Sequence, residues 1–198
     1  MILNNSNTSN PSIESIKKKV ILFIVAHTDD EALGLGGTIA KHTESNELVF
    51  GISMTDGVSA RDDSSLIKKE QRLKLAKKSA EILGFNWIKH GIFPDNKMDS
   101  IPLLDVIKFI ESVKMDLKPH IIYTHSPSDL NKDHRIVYEA TLTAFRPQPL
   151  ESWREIRTFE VPSATDYGFD YFSNSFSPNL FIDVSKTIKK KLLALDQY

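Results

Sequence analysis

Residues 20–25 read Val-Ile-Leu-Phe-Ile-Val, an unbroken run of branched and aromatic side chains with no polar alternation. A strand that shows water on one face alternates polar and apolar positions; a continuous apolar run of six is the pattern of a parallel strand covered on both faces. The rest of the chain keeps to that theme. Residues 32–42 read as a helix and residues 48–54 as a second strand closed by the turn pair Asp56-Gly57. Residues 65–83 have helical spacing, with Leu66, Leu73, Ala76, Ala80 and Leu83 on one face, and end at Gly84. A weaker strand is expected at 87–93, a helix at 103–117 stopped by Pro119, a strand at 120–124 and a helix at 136–145. Further strands are expected at 155–161 and 180–184. Such alternation predicts an α/β fold: a Rossmann-like, doubly wound, mostly parallel sheet with helices on both faces. In sheets of this kind the chemistry collects at the carboxyl ends of the strands.

Size and composition narrow the rest. A chain of 198 residues with 40% hydrophobic content fits one domain with its own core, and residues 19–198 are read as that domain. Residues 1–18 are polar at their start, lack the apolar stretch of a signal peptide, and are expected to be disordered. The run at 20–25 is far too short to span a bilayer, so no stable membrane insertion is expected and a cytoplasmic location is the default. A formal charge of −1 gives no basic field for nucleic acid. Exposed sheet edges leave homo-oligomerisation open. Because the chain has no cysteine, any metal must be held by imidazole and carboxylate.

Two clusters follow two of the expected strands. After the first comes His27-Thr28-Asp29-Asp30-Glu31; after the strand at 120–124 comes His125-Ser126-Pro127-Ser128-Asp129-Leu130-Asn131-Lys132-Asp133-His134. An isolated Asp-Asp-Glu would read as a helix N-cap. Two strand ends, distant in sequence and each carrying histidine plus carboxylate, instead suggest a shared site, since unpaired charges lose several kcal/mol, roughly, on burial. Imidazole, carboxylate and a second imidazole suit zinc, and three protein ligands leave a position open for chemistry. A calcium loop over Asp129-x-Asn131-x-Asp133 fails because its sixth and twelfth positions would be His134 and Ala140. Gly34-Leu35-Gly36-Gly37 lacks the last glycine of a dinucleotide fingerprint, where Ile39 stands, and reads as close helix packing. His42, His90 and His120 have no carboxylate at ligand spacing and read as surface or packing residues.

Ala26-His27-Thr28-Asp29-Asp30-Glu31 resembles the Ala-His-Pro-Asp-Asp-Glu signature of the PIG-L (LmbE-like) de-N-acetylases. The resemblance continues through Gly36-Gly37-Thr38, Thr55-Asp56-Gly57, Phe93-Pro94-Asp95-Asn96, Tyr123-Thr124-His125-Ser126-Pro127, the segment from Asp129 to Arg135, and Phe176-Ser177-Pro178-Asn179. It implies a Rossmann-like hydrolase that removes the N-acetyl group from an N-acetylglucosamine-type sugar or conjugate with one divalent ion, Zn2+ or alternatively Fe2+. It implies His27, Asp30 and His134 as metal ligands, Asp29 as general base and Asp133 as the carboxylate beside a ligand. The sequence departs from the signature at Thr28, where the family has proline, and at Asn131, where many members place a histidine. His125 is the candidate for that histidine's part in the chemistry. Arg61, Asp62, Asp95, Asn96, Asn131 and the segment 167–179 are candidate contacts to the hydroxyls and ring of an acetylated amino sugar. Relatives run some tens of residues further, so the domain is expected to be short at its C-terminal end. The competing readings are a hydrolase of a non-sugar amide and a non-catalytic sugar- or metal-binding module.

Overall fold

A computed structural model of the chain describes residues 18–60, 65–162, 164–168 and 175–198. Five parallel strands form one sheet in the order β3-β2-β1-β4-β5, with β1 at Val20–Val25, β2 at Leu48–Thr55, β3 at Asn86–Phe93, β4 at Ile121–His125 and β5 at Glu155–Phe159. The helices are α1 at Gly36–Glu44, α2 at Leu66–Leu83, α3 at Leu103–Leu117, α4 at Lys132–Ala144 and α5 at Ile188–Leu195. β1 is central, flanked by β2 and β4. Its side chains alternate between two cores, as a strand with two covered faces requires. Ile21, Phe23 and Val25 join the core beneath α1, α2 and α5, while Leu22, Ile24 and Ala26 join the core beneath α3 and α4. The doubly wound α/β arrangement expected from the sequence is the one observed. No described helix is long and apolar enough to cross a membrane.

Local chemistry sets the element boundaries. Ser65 caps α2 by accepting from the Lys68 N–H at 3.3 Å, and Gly84 closes it in the left-handed conformation at φ 82°. Asn131 caps α4 by accepting from the Asp133 N–H, so the helix starts at Lys132, earlier than the apolar periodicity indicates. The segment read as one helix from residue 32 begins instead with a π-helical turn at Glu31–Leu35 that runs into α1. The glycines there serve close packing: a Cβ on Gly34 would lie 2.4 Å from the Phe159 ring, and one on Gly37 would lie 2.7 Å from Val184. Residues 180–184, expected as a strand, form none. Leu180 and Phe181 point mostly to solvent, while β5 takes its hydrogen bonds from β4 alone. Ile182 and Val184 are half-buried, Val184 against Gly37, and the segment pairs with no strand among the described residues.

Candidate active site

β1 and β4 are hydrogen-bonded neighbours, with Leu22 opposite Ile122 and Phe23 opposite Tyr123. Their carboxyl ends therefore emerge side by side, and the two histidine-carboxylate clusters meet there. Beyond β1 the chain turns sharply, with Asp29 at φ 132°. Asp30 folds back so that its Oδ2 accepts the His27 N–H at 2.9 Å. His134 enters from the first turn of α4. Its Nε2 lies 3.3 Å from His27 Nδ1, and Asp30 Oδ2 is 3.4 Å from each of those nitrogens. All three side chains are buried.

The outer partners decide which ring nitrogens carry protons. His134 Nδ1 faces Asp129 Oδ2 at 2.8 Å, which also accepts from Thr165 Oγ1 at 3.0 Å. His27 Nε2 faces Asp133 Oδ2 at 3.2 Å and Asp95 Oδ1 at 3.1 Å. Each imidazole thus donates outward to a carboxylate and turns its other nitrogen's lone pair inward. Two inward lone pairs and a carboxylate oxygen, crowded at 3.3–3.4 Å, form a donor set that could hold a divalent cation. His125–Asp129–His134 and His27–Asp95–Asp133 are also compact enough to hold an ion, but the first is His134 with its outer carboxylate and the stacked His125, and the second is His27 with its two outer carboxylates.

Titration follows the same geometry. Burial opposes charge on His27, yet Asp133, Asp30 and Asp95 raise its pKa well above the ordinary imidazole value. Burial likewise opposes charge on His134, and Asp30 and Asp129 lift it to about 9. Burial would raise Asp30, but the flanking His134 and His125 hold it well below the usual carboxylate range. Such imidazoles keep a proton only because anions surround them, and a cation would take that proton's place. Asp29 is shifted upward by burial and by the charge of Asp30, against the pull of Arg72.

These residues line a cleft of about 240 Å³ that takes in His27, Asp29, Asp30, His134, Asn96 and Asn131. Asp29 stands at its mouth, its carboxylate 2.6 Å from Arg72 Nη2. Asp133 is fully buried behind His27 and accepts the N–H groups of Asn96 at 2.7 Å and Met98 at 3.1 Å. Asp95 also backs His27, so its carboxylate is committed to the imidazole on that side. Asn131 donates to Asn96 Oδ1 at 3.2 Å while capping α4, which ties two of the candidate sugar contacts together. Arg61, Asp62 and the candidate contacts at 169–174 lie outside the described residues. A larger cavity of about 520 Å³ runs beside β5 and contains none of the clustered histidines.

His125 takes a different place from the one its sequence position suggests. It is fully buried, stacks on His134 at 3.9 Å, and its Nε2 accepts the Ala26 N–H at 2.9 Å. Burial, reinforced by His134, pushes its pKa down to about 4. A neutral ring behind the cleft wall orients its neighbours and is badly placed to hand a proton to a leaving group. The remaining histidines make structural contacts: His42 with Glu47 and Tyr123, His90 with Ser53, and His120 with the Val20 N–H.

Sequence reasoning missed Asp129 behind His134, Arg72 on Asp29, and the surroundings of Glu31. Glu31 is fully buried; Oε2 accepts the Asp29 N–H at 2.9 Å, and Oε1 accepts from Ser79 at 2.9 Å and Tyr198 at 2.6 Å. Burial raises its pKa to about 7 despite those hydrogen bonds. The only advance sign of Asp129 was its place in the second cluster. Arg72 sits among the lysines of a helix that otherwise reads as solvated.

Comparison with known proteins finds relatives in both sequence and fold. The family model PIG-L, described as GlcNAc-PI de-N-acetylase, matches residues 22–145. The uncharacterized deacetylase YaiS of Escherichia coli K12 is 30% identical over 188 residues, covering 92% of this chain and 91% of that protein. The diacetylchitobiose deacetylase of Thermococcus kodakarensis is 31% identical over 195 residues, covering 94% of this chain and 70% of that protein. Among solved structures, the 4-carboxy-2-hydroxymuconate hydratase GalB of Pseudomonas putida superposes with a TM-score of 0.72 at 22% identity, covering 90% of this chain and 78% of that one. That last likeness concerns the fold alone, since its name describes a different reaction.

Proposed function

This chain belongs to the PIG-L family, and from that premise we propose that it is a metal-dependent hydrolase that removes the acetyl group from an N-acetylglucosamine-type sugar. The observation that carries the proposal is the convergence of His27 Nδ1, His134 Nε2 and Asp30 Oδ2 at 3.3–3.4 Å, with Asp29 beside them at the mouth of the cleft. These three residues would hold the ion. Two imidazoles and a carboxylate accept Zn2+ or Fe2+, and Zn2+, the ion that the family resemblance implies, is the proposed occupant. When bound, the ion supplies Lewis acidity toward water and toward an amide carbonyl.

The protein's own groups do the rest. Asp29 removes a proton from the attacking water as its oxygen bonds to the acetyl carbon. Its upward-shifted pKa suits a group that must keep that proton briefly and then release it. As the carbon–nitrogen bond breaks, Asp29 returns the proton to the departing amine, leaving acetate and a free amino sugar. Asp129 and Asp133 hold the imidazoles in their ligand tautomers. Asn96 and Asn131 present neutral amides at the rim, matched to sugar hydroxyls.

The test is acetate release from N-acetylglucosamine, diacetylchitobiose and sugar-free acetamides, with elemental analysis of the wild type and of Asp29→Asn, His27→Ala and His134→Ala. The histidine variants are expected to lose both metal and activity. Asp29→Asn is expected to keep its metal and lose roughly 100-fold or more in turnover. Release from the acetamides alone would move the substrate class away from sugars. Full activity in metal-loaded Asp29→Asn would remove the base.

A further inference from the structure

Asp29 combines two properties that need support. At φ 132° its backbone lies where an L side chain is strained. As the proposed base it must also aim its carboxylate reproducibly. Two arms hold it. One is backbone: the Asp29 N–H goes to Glu31 Oε2 at 2.9 Å, while its carbonyl accepts from Ala32 at 2.9 Å and Leu33 at 2.8 Å in the π-helical turn. The other is Arg72, which grips the Asp29 carboxylate at 2.6 Å, Thr28 Oγ1 at 3.0 Å and the Thr28 carbonyl.

Both arms end on one residue that does not line the cleft. The Tyr198 hydroxyl donates to Glu31 Oε1 at 2.6 Å, alongside Ser79 at 2.9 Å. The Tyr198 ring lies under the Arg72 guanidinium, 5.1 Å from centroid to central carbon. A single phenol therefore fixes the carboxylate that holds the Asp29 amide and the cation that holds the Asp29 side chain.

We infer that Tyr198, through Glu31 and Arg72, is a positioning residue that sets the aim of Asp29. The inference rests on Asp29 being the base. Tyr198 does not itself line the cleft and reaches it only through Arg72 and Glu31, so its effect is expected to pass through Asp29 and to leave metal and substrate binding alone. Ser79, on α2, supports the same Glu31 oxygen and belongs to the same device.

The experiment uses the metal-loaded full chain and the best acetylated sugar of the panel. Tyr198→Phe keeps the ring under Arg72 and removes the hydrogen bond to Glu31. It is expected to lower kcat by about 10- to 100-fold with KM and metal content unchanged, the effect of a misaimed catalytic group. Ser79→Ala tests the same oxygen independently and is expected to act in the same direction. The decisive readout is the Asp29→Asn background, where there is no base left to aim: Tyr198→Phe should lower the residual rate no further. Unchanged kcat in both single variants overturns the inference, as does an equal loss with and without Asp29, which would mark Tyr198 as merely structural. If Asp29→Asn alone is fully active, the base assignment fails first and this inference falls with it.

Discussion

Replacing Asp129 by Asn tests the electrostatics of the proposed ion seat with almost no change in shape. Asp129 is completely buried; its Oδ2 accepts from His134 Nδ1 at 2.8 Å and from Thr165 at 3.0 Å, and its Oδ1 accepts the Asn131 N–H at 2.9 Å. An asparagine oxygen can keep the Asn131 contact, but its amide nitrogen then faces His134 Nδ1 and the Thr165 hydroxyl. Two donors cannot share one line, so the imidazole must move its proton to Nε2, the atom proposed to face the ion, or tilt away. Loss of such an outer carboxylate weakens metal binding by about 10- to 100-fold. That corresponds to about 1.5–3 kcal/mol, and the upper end is expected here because no water reaches Asp129 to compensate. Competition against a chelator of known affinity measures it directly, with elemental analysis after dialysis as the check. An Asp129→Asn protein that bound Zn2+ within twofold of the wild type would refute the idea that this carboxylate sets the His134 tautomer.

Two further outcomes concern stability. Burial raises Glu31 from its ordinary 4.5 to about 7, so the folded protein holds that proton more tightly than the unfolded chain does. Its contribution is therefore most favourable below about pH 4.5 and is lost as pH rises through about 7. In chelator-treated protein, the stability of the wild type relative to Glu31→Gln should fall by up to about 3 kcal/mol between pH 5 and pH 8. Urea melts at several pH values read this, and a pH-independent difference would count against it. Gly51→Ala would place a Cβ 2.2 Å from the buried Phe23 ring, itself wedged against Phe85 and Trp87. Overpacking there is expected to cost about 1–3 kcal/mol, seen as a lower urea midpoint with metal content unchanged; an unaltered midpoint would contradict the packing argument.

What could be read in advance follows from how strongly each feature marks the chain. β1 was legible because burial on two faces demands six consecutive apolar residues, and α2 because Ser65 and Gly84 are chemically distinctive ends. The π-helical turn at Glu31–Leu35 was not, since five residues are too few for its period to differ from that of an α-helix. Residues 180–184 looked strand-like because apolar content was visible, whereas the want of a strand to pair with was not. At the site, the two clusters stood out because costly residues gathered at two strand ends, and the family resemblance singled out His27, Asp30 and His134 within them. Asp129 shared its cluster with several other polar residues, and spacing alone could not tell which carboxylate would meet His134. Asp95 was legible as polar, but its commitment to His27 depends on the loop after β3 folding back over β1. Arg72, Ser79 and Tyr198 reach Asp29 and Glu31 across 43, 48 and 167 positions respectively, through helix packing that no local pattern encodes.

The two buried aspartates behind the imidazoles also fasten the rim. Asp133 ties down the loop at Asn96 and Met98, and Asp129 holds Thr165 on the opposite side. The proposed recognition surface and the proposed ion seat therefore share the same two anchors. Remodelling either rim loop to admit a new sugar shifts ion affinity as well, and a library selected for altered specificity should be scored at saturating metal, where that coupling no longer masks gains in recognition.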